Sequence, residues 1–321
     1  MHSFQELFEQ FEAVFSQHHF PDSPKTLYEP CSYLLHLGGK RIRPVICLMS
    51  HELFADLNKN AFDTAIAIEL FHNFTLMHDD IMDQAPLRRG KETVHTKYNL
   101  ATAILSGDVM NIYSYVHLNK VDNGLIHVVM DLFNQTAIQI CEGQQLDMDF
   151  ELREYVSVEE YLQMISLKTS VLLGASVKLG AQLGGASDGC ASLLYEFGKN
   201  LGLAFQLKDD YLDSFGDSKE TGKQIGGDIL SGKKTFLVCK AYELSSDQEK
   251  EKLTTLLQSS DPNKIEQVLA IFKNLGIHNL AAKEIEHYSN IAFNLLEEAP
   301  VLSKRKKPLI ELTQHLLNRK N

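Results

Sequence analysis

Two acidic clusters share one pattern: Asp79-Asp80-Ile81-Met82-Asp83 and Asp209-Asp210-Tyr211-Leu212-Asp213, both reading DDxxD. On a helix turning about 100° per residue, the first and last aspartates of each lie about one turn apart on one face, aiming two carboxylates at a common spot. Like charges repel there. Each cluster also follows an apolar run, residues 65–77 and 201–207, where carboxylates near a core are costly without a counter-charge. Hard divalent cations supply one. Magnesium prefers oxygen ligands, uses only one or two carboxylates per ion, and fills its shell with water and substrate phosphate oxygens. A single DDxxD can be a solvated acidic turn; two copies, each behind an apolar run, predict a site for a magnesium-bound diphosphate.

A diphosphate also needs cationic donors, and arginine forks suit its geometry while lysine acts as a point charge. Arg88 and Arg89 follow Asp83 closely; Lys40, Arg41 and Arg43 form a basic patch after Gly38-Gly39; Lys168-Thr169 interrupts an otherwise apolar run. Any one of these alone reads as a solvated face. Together with the paired carboxylates they predict anion recognition. His72 stands seven residues before Asp79, about two turns away on the same face; a histidine in an apolar helix is ordinarily a hydrogen-bonded core residue, and this placement favours a functional one. The stretch Gly227 to Lys233 matches the GxxxxGK half of a phosphate-binding P-loop, but Lys234 stands where a metal-holding Ser or Thr is required and no buried strand precedes it. A nucleotide P-loop is thereby rejected.

The elements that must position these groups are helices. Apolar residues recur at spacings of three and four, as in Leu7, Phe11, Val14, Phe15 and Leu193, Leu194, Phe197, Leu201, the period of amphipathic helices. The pattern predicts helices over 3–18, 25–37, 43–56, 61–83, 98–120, 124–148, 157–184, 189–213, 234–244, 247–257, 262–275, 277–297 and 301–318, with the eight prolines near their ends and connections. No alternating run with Asn-Gly or Asp-Gly turns marks a strand pair. The expected architecture is all-α, one large single-domain helical bundle over 1–321 with a central site between the two DDxxD helices. Residues 214–235 break the rhythm with five glycines and four lysines and read as a lid that folds over phosphate.

Composition narrows the class. A net charge of −11 argues against a nucleic-acid binder, which needs a basic footprint. The five cysteines are scattered, without a CxxC pair, so neither a disulfide framework nor a zinc site is indicated. No stretch has the roughly 18 uninterrupted apolar residues of a membrane span, and the polar first residues do not read as a secretory signal. A cytoplasmic, magnesium-dependent enzyme is expected.

In their order along residues 35–240, these motifs resemble the trans-isoprenyl diphosphate synthase (polyprenyl synthetase) family of the short-chain, geranylgeranyl or farnesyl type: GGKRIRP at 38–44, HDDIMD at 78–83, LRRG at 87–90, Gly107-Asp108, EGQ at 142–144, Lys168-Thr169, FQLKDDYLD at 205–213, GK at 222–223 and GKKT at 232–235. The resemblance implies the isoprenoid synthase fold, three magnesium ions and a homodimer. It implies that Asp79 and Asp83 bind the ions from one side and Asp209 from the other, with Asp80, Asp210 and Asp213 supporting them. Arg88, Lys168, Lys223 and Lys233 would hold the allylic diphosphate. Lys40, Arg43, His72 and Arg89 would hold isopentenyl diphosphate, and Thr169 and Gln206 would turn oxygen dipoles toward the developing cation.

The implied reaction is ionisation of an allylic diphosphate and attack by the double bond of isopentenyl diphosphate, with water excluded. For product length the resemblance points to the fifth residue before the first motif, Phe74, followed by Thr75, a combination that favours geranylgeranyl over farnesyl diphosphate. On an ideal wheel Phe74 lies about 140° from Asp79, Phe71 about 80° and Thr75 about 40°, so Phe71 could shorten the channel. Three other readings compete. A class I terpene cyclase shares the first DDxxD but needs no second diphosphate site. A non-catalytic subunit of a heteromeric synthase would lose an acidic motif. A metal phosphohydrolase suggested by His78-Asp79 leaves the second DDxxD unexplained.

Overall fold

The computed structural model describes residues 1–17, 20–216 and 225–318. The fold is all-α, as the spacing of apolar residues requires. Helix starts coincide with short polar side chains that satisfy the first free N–H groups. Ser3 and Glu6 form a reciprocal capping box on α1 (Phe4–Phe15). Asn58 accepts from the Ala61 N–H at the start of α4 (Lys59–Met82), and Asn99 accepts from Thr102 at the start of α6 (Leu100–Leu118). Ser157 and Glu160 box the start of α8 (Val158–Ile165). Between α1 and α4 lie α2 (Lys25–His36) and α3 (Ile42–Glu52).

Three details depart from the helical pattern. A two-stranded antiparallel hairpin, β1 (Leu87–Arg88) and β2 (Lys91–Glu92), follows the first motif, and a short α5 (Val94–Lys97) follows it. The hairpin turn has positive φ at both central residues, Arg89 (53°) and Gly90 (73°), as in the tight turns whose twist matches a strand pair. Sequence periodicity missed it because the first turn residue is arginine. The run expected over 157–184 is α8, then a π-helical turn at Ser166–Ser170, then α9 (Val171–Leu183). A short α11 (Gly227–Ser231) lies inside the glycine- and lysine-rich segment.

The chain divides into two compact units, Met1–Leu132 with Ser176–Ala191, and Phe133–Ala175 with Ser192–Asn321. In the first, α4 packs along α6 and α3 over a core that includes Phe11, Leu34, Ile46, Leu48, Ile68 and Leu70. Two glycines let chains approach within that unit: a Cβ on Gly180 would fall 2.0 Å from the Cys47 carbonyl oxygen, and one on Gly107 would fall 2.3 Å from His78 Nε2. The second unit carries most of α7 (Ile126–Glu151), α10 (Asp188–Phe215), α12 (Phe236–Leu244), α13 (Asp247–Gln258), α14 (Lys264–Asn274), α15 (Ile277–Glu298) and α16 (Ser303–Asn318). Its core gathers Tyr161, Leu207, Phe236, Leu237, Phe272 and Ile277. The run Val158–Leu183 is apolar and long enough to cross a membrane by composition, but 78% of its most apolar window is buried within the protein, as in a core helix.

Candidate active site

Helix α4 carries the first acidic motif at its C-terminal end and His72 two turns earlier. His72 Nε2 lies 3.2 Å from Arg43 Nη1; a guanidinium only donates, so this nitrogen accepts and Nδ1 carries the hydrogen. Burial, and then the positive charges of Arg43, Arg89, Arg88 and Arg41, hold the His72 pKa well below its ordinary value. The imidazole is neutral at physiological pH. Arg43 is itself desolvated, which lowers its pKa, and its buried Nε has no partner.

Arg41 serves the fold. It stands in the left-handed region (φ 47°) just before α3, is 5% exposed, and donates through Nε to Glu12 and through Nη1 to Glu69, both at 2.6 Å. Its third nitrogen reaches the Leu35 carbonyl. Arg89 lies across the same loop: a Cβ on Gly39 would meet its Nη2 at 3.1 Å. Lys40 is exposed on that loop. Neither Arg43 nor Arg89 forms an ion pair among the described residues, whereas Arg41 and Arg88 do. The cluster thus holds two arginines without an ion pair of their own among the described residues, as suits an anion site.

Within the first motif the three aspartates are unequal. Asp80 is 2% exposed and is gripped by both arms of Arg88, Nε to Oδ2 at 2.8 Å and Nη2 to Oδ1 at 2.7 Å. Asp79 is half-buried and Asp83 exposed, one helical turn apart, with the Asp83 N–H donating to the Asp79 carbonyl. His78 does not join them: its Nε2 approaches the Ile104 carbonyl at 3.2 Å and Asp108 at 3.8 Å. Upstream, Phe71 is buried, its ring centroid 5.6 Å from that of Phe74, which in turn meets His78 edge-on at 4.7 Å. Thr75 is half-buried and donates to the His72 carbonyl.

In the second unit, Lys168 and Thr169 sit in the π-helical turn, a form that appears as single-turn bulges and is frequent at functional sites. Two glycines hold it. A Cβ on Gly143 would lie 2.3 Å from the Lys168 backbone nitrogen, and one on Gly202 would lie 2.8 Å from the Ser170 Cα. The EGQ motif is therefore a close approach of α7 to the bulge. Lys168 Nζ donates to Asp147 Oδ2 at 2.6 Å. Sequence reasoning missed Asp147; its only signal was an acid about one turn after Gln144 on the helix that faces the bulge.

The second motif repeats the inequality of the first. Asp210 is 3% exposed. It accepts from the Tyr161 hydroxyl (2.5 Å) and the Phe236 N–H (3.1 Å) on one oxygen and from Gln206 Nε2 (3.3 Å) on the other. Burial pushes its carboxyl up to about 7, against the hydrogen bonds from Tyr161 and Phe236 that pull it down. Asp213 receives the Asp228 N–H on its side chain at 3.2 Å and the Gly226 N–H on its carbonyl at 2.7 Å, tying α10 to the start of α11. Asp209 is half-buried. Lys233 lies just after α11, its N–H bonded to the Asp228 carbonyl. Lys223 and the middle of the expected lid fall outside the described residues.

Among the described residues no three His, Cys, Asp or Glu side chains gather closely enough to hold a metal by themselves. The acidic groups near solvent, Asp79 and Asp83 in the first unit and Asp209 in the second, are hard oxygens, and in each unit they are few, as suits magnesium and its reliance on water and phosphate oxygens.

Residues 24–275 match the polyprenyl synthetase family, and the chain belongs to it. It is accordingly a prenyltransferase. It is similar to the geranylgeranyl diphosphate synthase of Sulfolobus acidocaldarius, 40% identical over 301 residues and 91% of each chain. Among solved structures it superposes on a geranylgeranyl pyrophosphate synthase with a TM-score of 0.95 and 42% identity, over 100% of both chains. A polyprenyl synthase from Caulobacter crescentus CB15, solved with calcium and isoprenyl diphosphate, superposes with a TM-score of 0.85 at 26% identity, over 99% of this chain and 96% of that one.

Proposed function

We propose that this prenyltransferase condenses isopentenyl diphosphate with allylic diphosphates (dimethylallyl, geranyl and farnesyl) to make a short-chain product, geranylgeranyl ahead of farnesyl diphosphate. The observation that carries the reading is the arginine cluster around a neutral His72, on the helix that ends in the first DDxxD. A cyclase has no use for such a second anion site. Lys40, Arg43, His72 and Arg89 bind the diphosphate of isopentenyl diphosphate. Arg88, Lys168, Lys223 and Lys233 bind that of the allylic substrate.

Asp79, Asp83 and Asp209 are the residues that would hold magnesium, proposed as three ions, with Asp80, Asp210 and Asp213 in support. When bound, the ions neutralise the leaving diphosphate so that the allylic carbon–oxygen bond can ionise. Asp80 keeps the Arg88 fork in one orientation, and Asp147 does the same for the Lys168 ammonium. Thr169 and Gln206 present oxygen dipoles to the developing cation. The role of a lid that keeps water from the reacting carbon falls to segment 214–235, the middle of which lies outside the described residues. The half-buried Thr75 and the Phe71–Phe74 pair on α4 support a channel of short-chain length.

The chain acts as one domain and as a cytoplasmic homodimer. Supporting the dimer, α6 exposes Leu105, Ile112 and Val116 at spacings of seven and four residues, each 42–59% exposed, an apolar stripe along one face that a second copy would cover.

The test is to incubate the purified chain with magnesium, labelled isopentenyl diphosphate and each allylic starter in turn, and to size the products. The expected outcome is a discrete twenty-carbon diphosphate, abolished by a chelator and reduced at least about a hundredfold by Asp79→Ala. Cyclic hydrocarbon formed without isopentenyl diphosphate would make the protein a cyclase. No product from any starter would make it a non-catalytic subunit.

A further inference from the structure

Tyr161 lies outside both acidic motifs and every basic patch, yet it touches the centre of one of them. Its ring is 3% exposed in the core of the second unit, and its hydroxyl donates to Asp210, itself 3% exposed, at 2.5 Å. The same carboxylate oxygen accepts the Phe236 N–H in the first turn of α12, three residues beyond Lys233. Tyr161 is on α8, which runs without a break into the π turn holding Lys168 and Thr169. One buried carboxylate therefore joins three elements: α10 with Asp209 and Asp213, the helix leading to Lys168, and the helix that follows Lys233.

A buried charge is poor value as a source of stability, since an apolar residue of similar volume commonly does as well or better. What it supplies is directional geometry, because a hydroxyl-to-carboxylate bond fixes distance and orientation where apolar packing tolerates small slides. The partners behind metal-binding side chains act in this way. We propose that Tyr161 is a positioning residue: through Asp210 it sets the register of α8 against α10, so that Lys168 and the aspartates of the second motif hold one magnesium-bound diphosphate. This inference rests on the function proposed above.

Tyr161→Phe removes only the hydroxyl and retains the packed ring. Magnesium titrated calorimetrically into the protein with excess inorganic pyrophosphate should bind about tenfold more weakly to the variant. In turnover, kcat/KM for the allylic substrate should fall about ten- to a hundredfold, while KM for isopentenyl diphosphate stays within about twofold of the parent, because its binding residues belong to the other unit. Asp210→Asn should show the same pattern, and the double variant should be no worse than Asp210→Asn alone, as coupling through one bond requires. Parental magnesium affinity in Tyr161→Phe overturns the proposal, as does a loss confined to thermal stability or additive losses in the double variant. A parent chain that binds magnesium and pyrophosphate but makes no product defeats the functional reading instead, and the calorimetric comparison still decides the role of Tyr161. A parent chain that binds no magnesium defeats both.

Discussion

At the residue scale the two DDxxD motifs work by the same division: the middle aspartate is buried and spent on protein contacts, and its neighbours stay near solvent. Asp80 takes the fork of Arg88, and Asp210 takes Tyr161, Gln206 and the Phe236 N–H. Arg88→Ala would strand the Asp80 carboxylate. Because Arg88 is 25% exposed and partly screened, the expected loss is about 2–3 kcal/mol of unfolding free energy, below that of a fully buried pair. Urea denaturation reads it, and Arg88→Lys should recover only part, since one ammonium cannot make the two-pronged contact. His72 yields a pH dependence. Its pKa is lowered in the folded protein by burial and by Arg43, Arg89, Arg88 and Arg41, so below about pH 6.5 the unfolded chain takes a proton that native His72 refuses. That contribution to stability is complete above pH 6.5 and is lost as pH falls toward the native pKa. Urea midpoints between pH 7 and pH 5 should decline less steeply in His72→Gln than in the parent; equal slopes would mean that His72 is charged in the native state.

At the scale of elements, glycine decides how closely helices approach the π turn. Gly143 and Gly202 touch it with their backbones, and Lys168 acquires its place from that contact as much as from the Asp147 carboxylate. Gly143→Ala forces a methyl group into backbone that has no flexible end to yield. The expected result is a loss of about 1–3 kcal/mol from overpacking and a higher KM for the allylic substrate as the bulge shifts. Gly189→Ala is the control on α10: a Cβ there meets nothing within 4 Å, so it should be neutral or stabilise by up to about 1 kcal/mol. Melting curves and steady-state kinetics on the two variants separate crowding from a general intolerance of alanine.

At the scale of the molecule, the unpartnered stripe on α6 bears on assembly. Ile112 is 58% exposed and stands in its middle. Ile112→Glu would place a charge where a second copy is proposed to pack, and sedimentation equilibrium should shift from dimer toward monomer with the helical circular dichroism unchanged. A parent protein that sediments as a monomer at micromolar concentration would exclude the homodimer.

The amino-acid sequence by itself determined the all-α class, most helix positions and the prenyltransferase class, because apolar spacing and the doubled DDxxD are local patterns that survive without coordinates. It also marked the arginines near the first motif. Only the tertiary structure decided which of these charges are buried against partners within the fold. Arg41 looks like its neighbours in the sequence, yet Glu12 and Glu69 engage it; Asp80 and Asp210 look like the other aspartates of their motifs, yet buried protein donors hold them. The hairpin at 87–92, the π turn and the partners Asp147 and Tyr161 were illegible for the same reason. Each depends on contacts between residues distant along the chain, such as Asp147 with Lys168 and Tyr161 with Asp210, or on a backbone conformation, such as positive φ at Arg89, that no spacing of residue types encodes.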